Sequence, residues 1–198
     1  AYEGVSANAG EIGHICLDVD GPECWCGARG CTEVLAGPAA VVTAALADPA
    51  VAQECGLTGR ADGGRSSAAA DFAAVARAAV SGSEGARTLL ERSARYVAVA
   101  TRTLANILDI DLVVLTGPSF GLAGSIYLPV IQEELDRAFF SRATHGVTVR
   151  ISPVATTGAA IGAAAMVLQS ELVPQRSSLR LPDRFPEPGQ GAGALSVF

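Results

Sequence analysis

The sequence lacks any apolar run that approaches the about 20 residues needed for a membrane-spanning helix. Its most apolar stretch, residues 158–168, is too short and too rich in small side chains. The first residues also lack the basic segment followed by an apolar stretch that marks a signal peptide. We therefore expect a cytoplasmic protein that makes no contact with a membrane.

A strong positive charge is also missing. Charged residues make up only 17% of the 198 residues, and the formal net charge is -6. The basic residues are scattered along the chain and form no dense cluster. Because an acidic surface repels the phosphate backbone of nucleic acids, we do not expect this chain itself to bind DNA.

Hydrophobic residues make up 49% of the chain, which favours a compact, helix-rich fold with a core of its own. Helical spacing of apolar residues, with aspartate or proline at helix starts, predicts most of the elements. The expected helices cover residues 38–47, a segment from Pro49, a segment capped by Asp71, and residues 84–108, 129–140 and 157–172. Residues 112–116 are expected to form a buried strand, and a half-exposed strand is expected at residues 147–151. The alternation of strand and helix predicts an α/β fold with a parallel strand pair.

Two segments do not follow these patterns. Residues 56–67 are polar and glycine-rich, which indicates a loop. Residues 173–198 contain several prolines and glycines and are expected to form an irregular or disordered tail. The folded region therefore corresponds to residues 1–172.

The strongest chemical signal is a cluster of one histidine and three cysteines: His14, Cys24, Cys26 and Cys31. Zinc prefers tetrahedral coordination by thiolate and imidazole ligands. A shell of three cysteines and one histidine leaves no open position for a catalytic water, so the expected zinc ion is structural. Gly27 and Gly30 permit the tight turn that returns Cys31 to the other ligands.

An alternative interpretation is that these cysteines are buried or partly disulfide-bonded and that His14 is unrelated to them. Cys24 and Cys26 are too close in sequence to bridge each other without strain, which favours the metal. The remaining cysteines, Cys16 and Cys55, are expected to be ordinary core residues.

The segment Ala9-Gly10-Glu11-Ile12-Gly13-His14, followed by Cys24-x-Cys26-Gly27-x-x-Gly30-Cys31-x-Glu33, resembles the signature of the ROK family (repressors, open reading frames, kinases). A weaker resemblance continues to about Leu172. The resemblance implies the actin-like, ribonuclease-H-like ATPase fold, in which two lobes surround a sugar-binding cleft. This chain would supply the C-terminal lobe with its zinc-binding loop.

The resemblance also implies a sugar site in which Glu11, His14 and Glu33 contact sugar hydroxyls, with His14 bound to zinc as well. Carboxylates accept strong, charge-assisted hydrogen bonds from hydroxyl groups. A metal-fixed loop would hold these side chains in place before the sugar arrives. Taken alone, Glu33 is equally well explained as a negative charge at the N-terminus of a helix.

Family members carry an upstream segment with a phosphate loop and an aspartate that acts as the sugar base. Because only eight residues precede Ala9, we expect this chain to be a C-terminal fragment that does not phosphorylate sugars. After the first strand, the family's kinases usually show a Gly-Gly pair where this chain has Gly117-Pro118-Ser119-Phe120. Proline removes a backbone donor and phenylalanine adds bulk at that position.

These features favour the sugar-sensing, effector-binding part of a ROK-type transcriptional regulator. Such a regulator would act as a homodimer and reach DNA through an N-terminal domain that this chain lacks. The alternative is the C-terminal part of an ATP-dependent, glucokinase-like ROK sugar kinase. A third interpretation is a free-standing, zinc-stabilised interaction module.

Overall fold

The computed structural model describes residues 4–6, 8–57 and 67–172. The tail expected at residues 173–198, and most of the loop expected at 56–67, lie outside these residues. The described helices are α1 (Thr32–Ala36), α2 (Pro38–Leu46), α3 (Pro49–Glu54), α4 (Ala68–Val80), α5 (Glu84–Leu108), α6 (Pro118–Ala138) and α7 (Gly158–Leu172). The strands are β1 (Leu112–Leu115) and β2 (Thr148–Ile151), and a 3₁₀ turn covers Ile12–His14.

The chain divides into two units, Ala1–Ala160 and Ile161–Phe198. The core and the candidate site described below belong to the first unit, and the second unit begins inside α7. Among the described helices, none is both long enough and apolar enough to cross a lipid bilayer.

The two strands pair in parallel, as predicted, with Leu112 opposite Thr148 and Leu115 opposite Ile151. Helix α6 connects them. The prediction that β1 is buried throughout is wrong, because Leu112 and Val114 are 47% and 53% exposed whereas Leu115 is buried. Alternate residues of a strand point to opposite faces, and the described elements cover only one face of this pair.

Helix α5 has the bounds that the sequence predicts, and it packs against α1, α2, α4 and α6. The side chain of Ser83 caps it by accepting the backbone N–H of Ala86 at 3.2 Å. Leu90 and Ala94 are fully buried, as expected for the inward face. Leu108, also expected to face inward, is exposed because α5 ends there, where Asp109 adopts a left-handed conformation with φ of 50°.

Helix α4 supplies the apolar side that the sequence predicts, with Phe72, Val75, Ala76 and Ala79 all buried. Its predicted start is wrong. Ser67, rather than Asp71, is the capping residue, and its hydroxyl accepts the N–H of Ala70 at 3.2 Å. Asp71 lies inside the first turn, where a negative charge is favourable.

Helix α6 starts eleven residues earlier than predicted, at Pro118 rather than Pro129, and ends at Ala138 rather than at residue 140. Pro129 lies inside the helix and is exposed. The carbonyl of Ser125, four residues earlier, loses its helical partner but is also exposed, so water can satisfy it. The predicted inward residues Ile131, Leu135 and Phe139 are buried.

Candidate functional site

The cysteine-rich segment forms a short ribbon anchored to the start of α1. Cys16 pairs with Cys31, and Glu23 with Arg29, as antiparallel bridges. The backbone N–H of Leu17 donates to the carbonyl of Gly30 at 2.8 Å, and the backbone N–H of Thr32 donates to the carbonyl of Ile15 at 2.9 Å. These bonds bring the segment after the 3₁₀ turn beside the residues that enter α1.

Gly30 is required at its position. Its φ is +59°, and a Cβ built there would lie 1.6 Å from the backbone oxygen of Asp18. No other residue fits such a close approach of two backbones. The ribbon therefore folds back tightly enough to return Cys31 to the cysteines at its tip.

His14, Cys24, Cys26 and Cys31 converge, with all four potential ligand atoms within 4.8 Å of one another. The Cys24 sulfur lies 3.6 Å from His14 Nδ1, and the Cys26 sulfur lies 3.7 Å from that of Cys31. With metal–ligand bonds of about 2.3 Å to sulfur and about 2.05 Å to nitrogen, a tetrahedron has edges of about 3.6 Å (S–N) and about 3.8 Å (S–S). The two measured edges match these lengths, so this donor set can hold a metal ion.

The charges of the cluster also favour a cation. Burial raises the pKa of Cys31 to about 12, and the neighbouring sulfurs of Cys26 and Cys24 add to this rise. A hydrogen bond with the backbone of Ala28 instead lowers the pKa of Cys26. Thiolates held this close together would repel one another, and a divalent cation would offset that repulsion.

The alternative interpretation of the cysteines is only partly compatible with this geometry: Cys24 and Cys31 are buried. All five cysteines lie in the described part of the chain, and none of them forms a disulfide. His14 is a member of the cluster rather than unrelated to it. Cys55 is buried as expected, but the expectation of a buried Cys16 is wrong, because this residue is exposed.

Glu33 occupies the first turn of α1, two residues after the metal-ligand candidate Cys31. It lies between two cavities. A cavity of about 280 Å³, here called the Phe120 cavity, is lined by Glu33, Gly13, Phe72, Phe120 and Tyr127 among others. A wider cleft of about 670 Å³, here called the Trp25 cleft, is lined by Glu33, Trp25 and Arg92 among others. The carboxylate of Glu33 is exposed and can reach a ligand in either space.

The other two residues proposed for sugar contact have different positions. His14 turns Nδ1 toward Cys24, which leaves its second ring nitrogen for another partner. Glu11 is exposed immediately before the 3₁₀ turn and is not among the residues that line the Phe120 cavity or the Trp25 cleft. His14 is also absent from both linings, so of these three residues only Glu33 lines either space.

Sequence reasoning missed Trp25, which lies between two metal-ligand candidates. Its ring packs edge-on against His14, with the ring centroids 4.8 Å apart, yet it is 82% exposed. It is the only tryptophan in the chain. A large aromatic residue between two metal ligands, in a segment of otherwise small residues, is the signal that could have identified it.

A family model described as "ROK family" matches residues 1–170. N-acetylmannosamine kinase of Vibrio vulnificus (strain CMCP6) is 35% identical over 136 residues, covering 69% of this chain and 40% of the kinase. The xylose repressor of Bacillus subtilis (strain 168) is 49% identical over 41 residues, covering 21% of this chain and 11% of the repressor. A ROK family glucokinase from Streptomyces griseus, solved with glucose and AMPPNP, is 25% identical with a TM-score of 0.64, covering 80% of this chain and 51% of that chain.

The actin-like ATPase fold expected from the sequence is supported by this similarity to a sugar kinase of known structure. The chain spans 40% of the length of the kinase relative and 51% of the glucokinase. Both a repressor and kinases are among these similar proteins, so similarity alone favours neither function.

Proposed function

The chain belongs to the ROK family, and we propose that it forms the sugar-sensing, effector-binding part of a transcriptional regulator, which acts as a homodimer. The net charge of -6 opposes DNA binding by this chain, so the DNA contacts belong to residues outside it. The observation that carries the sugar-binding part of the proposal is the position of Glu33, exposed between two cavities and adjacent to the metal cluster.

In this proposal the metal is a structural zinc ion, held by His14, Cys24, Cys26 and Cys31. When bound, zinc supplies positive charge and fixed tetrahedral geometry, and the four protein ligands leave no position for a water. The ribbon and the start of α1 are then locked together. The carboxylate of Glu33 is thereby pre-positioned, which lowers the entropy cost of sugar binding.

Glu33 accepts hydrogen bonds from a pair of sugar hydroxyls, and His14 donates one from the ring nitrogen that faces away from the cysteines. Glu11, immediately before the 3₁₀ turn, supplies a second carboxylate that accepts hydrogen bonds from sugar hydroxyls. Sugar contacts that favour one arrangement of the two lobes shift the protein between its DNA-binding and released states. The coupling requires only that the two states differ in their affinity for the sugar.

The start of α6 favours a regulator over a kinase. Gly117 precedes the helix with φ of +114°, and Pro118, the first helical residue, has no backbone N–H to donate. Phe120, two residues later, packs its ring edge-on against Tyr127, with the ring centroids 5.5 Å apart. A phosphate-binding helix start relies on free backbone N–H groups and close approach. Pro118 removes one of these N–H groups, and Phe120 adds bulk close to the helix start.

A second candidate function is an ATP-dependent sugar kinase. It rests on the 35% identity to N-acetylmannosamine kinase over 69% of this chain. The sugar contacts would be the same. The two functions differ in whether ATP is bound and consumed.

The substitution Glu33→Gln, made in the protein expressed from its complete gene, tests the sugar site. Loss of a charge-assisted acceptor costs about 1.5–3 kcal/mol, so we expect sugar affinity to fall about 10- to 100-fold. Binding is measured by calorimetry with a panel of hexoses and N-acetyl-hexosamines. The control is Glu133→Gln, an exposed glutamate on α6 that lines neither the Phe120 cavity nor the Trp25 cleft.

Release of operator DNA is measured on the same proteins. We expect sugar to release the wild-type protein from DNA, Glu133→Gln to respond equally, and Glu33→Gln to bind DNA but no longer respond. An unchanged response of Glu33→Gln would contradict the sugar site. Sugar-dependent ATP turnover by the wild-type protein would contradict the regulator and support the kinase.

A further inference from the structure

Cys16 is the cross-strand neighbour of the metal-ligand candidate Cys31. The hydrogen bonds from Leu17 to Gly30 and from Thr32 to Ile15 flank this pair on both sides. No backbone hydrogen bond joins the two cysteines directly, so they form a non-hydrogen-bonded antiparallel pair. In such a pair the Cα atoms lie about 4.5 Å apart and the side chains share one face.

This arrangement satisfies the geometric requirement for a disulfide, whose Cα atoms lie about 4.4–6.8 Å apart. The two thiols differ in accessibility. Cys31 is fully buried in the cluster, whereas Cys16 is exposed and does not belong to the four-ligand set. An oxidant in solution therefore reaches Cys16 before it reaches Cys31.

We propose that Cys16 is an oxidation site whose disulfide with Cys31 removes one ligand from the metal cluster and releases the metal. The oxidant is a peroxide. The Cys16 thiolate attacks one oxygen of hydrogen peroxide, which breaks the O–O bond, yields a sulfenic acid and releases hydroxide. The Cys31 thiolate then attacks the sulfur of the sulfenic acid, forms the S–S bond and expels a second hydroxide. Two electrons pass from the two sulfurs to one peroxide.

Loss of Cys31 leaves His14, Cys24 and Cys26 as ligands, and three ligands no longer close the tetrahedral shell. Because Cys31 directly precedes α1, the same step disturbs the segment that positions Glu33. Oxidation would thus weaken the ribbon that holds the sugar contacts. A thiol reductant together with zinc reverses the change.

The test uses zinc-loaded protein with one equivalent of hydrogen peroxide. Released zinc is followed with a chromogenic chelator, and the cross-link is mapped by mass spectrometry. Cleavage after Glu23 and Arg29 separates Cys16 from the Cys24–Cys26 peptide and both of these from Cys31. We expect one zinc released per Cys16–Cys31 disulfide formed.

The variant Cys16→Ser should slow zinc release at least tenfold without changing the zinc content before oxidation, since this side chain is exposed and not a ligand. The control Cys55→Ala should release zinc at the wild-type rate, because Cys55 directly follows α3 and lies outside the cluster. A Cys26–Cys31 disulfide would overturn the proposal, because these two sulfurs are the competing close pair at 3.7 Å. Zinc release from Cys16→Ser at the wild-type rate would also overturn it.

Discussion

His145 lies in the loop between α6 and β2, beside Asp109 at the C-terminal end of α5. Its Nδ1 is 3.2 Å from the carbonyl of Gly146, and its Nε2 is 3.2 Å from a carboxylate oxygen of Asp109. Both ring nitrogens face acceptors, so the doubly protonated imidazolium fits this position best. The hydrogen bond to Gly146 first, and then the bond to Asp109 and the charges of Asp109 and Asp111, raise the pKa of His145 above 6.5.

We expect His145 to titrate above pH 6.5 in NMR spectra, and Asp109→Asn to lower its pKa. Asparagine tolerates the left-handed conformation of residue 109, so the variant removes charge without backbone strain. The matched control Asp111→Asn should lower the pKa less, since Asp111 makes no hydrogen bond to the ring. Titration of the wild type at or below 6.5 would contradict the pairing.

The raised pKa of His145 determines how the stability of the fold depends on pH. The folded state binds the His145 proton more tightly than the unfolded chain does, so this contribution to stability is fully present below about pH 6.5. It disappears as the pH rises through the folded-state pKa. Thermal melts of the wild type and Asp109→Asn should therefore converge at high pH.

The site could be predicted in part, residue by residue. The spacing of His14, Cys24, Cys26 and Cys31 correctly predicted that these side chains converge, because thiolate and imidazole groups within one short segment are typical metal ligands. The exposure of Cys16 was not predictable, since it depends on which face of the ribbon other parts of the chain pack against. Glu33 could be assigned to a helix start or to a sugar contact; the structure confirms the helix start, and the sugar contact stays a prediction.

At the level of elements, the periodic helices were predictable and the departures have local causes. Helix α5 was predicted with correct bounds because its apolar spacing continues without interruption to Asp109. The predicted start of helix α6 was too late because proline is common in the first turn of a helix and Pro129 was interpreted in that way. Pro129 is tolerated inside the helix because the carbonyl of Ser125, which loses its helical partner, is exposed and can bond to water. The five-residue helix α1 was missed because it is too short to show a period.

A buried chain of hydroxyls joins three of these helices. Ser93 on α5 donates to the carbonyl of Ala36 at the end of α1 at 2.7 Å. Its only proton is used in that bond, so Tyr127 on α6 must donate to Ser93 Oγ, at 2.6 Å. Burial raises the pKa of Tyr127, so its hydroxyl stays protonated and able to donate at neutral pH.

We expect Ser93→Ala to destabilise the fold by about 1–3 kcal/mol, because it leaves the Ala36 carbonyl and the Tyr127 hydroxyl buried without their shared partner. Urea unfolding followed by circular dichroism measures the loss. The control Thr88→Ala removes an exposed hydroxyl from the same helix, bonded only to the Glu84 carbonyl, and should cost less than about 0.5 kcal/mol. Equal effects of the two substitutions would contradict a linking role for Ser93.

At the scale of the whole molecule, local sequence patterns predict a parallel strand pair correctly but not how it is covered. Leu112 and Val114 are as apolar as a buried strand requires, yet they are exposed in the described structure. Burial depends on what packs against each face, which a strand's own residues cannot specify. The metal cluster, by contrast, forms within one ribbon and the start of one helix, so its assembly depends little on distant parts of the chain.

The most direct test of the zinc-ordered sugar site is the metal content of purified protein, combined with X-ray absorption at the zinc edge. We expect one zinc ion per chain, with three sulfur neighbours at about 2.3 Å and one nitrogen neighbour at about 2.0–2.1 Å. Replacing Cys26 by serine should reduce the sulfur count or the zinc content. Protein that contains no zinc, or zinc surrounded mainly by oxygen, would contradict the central claim.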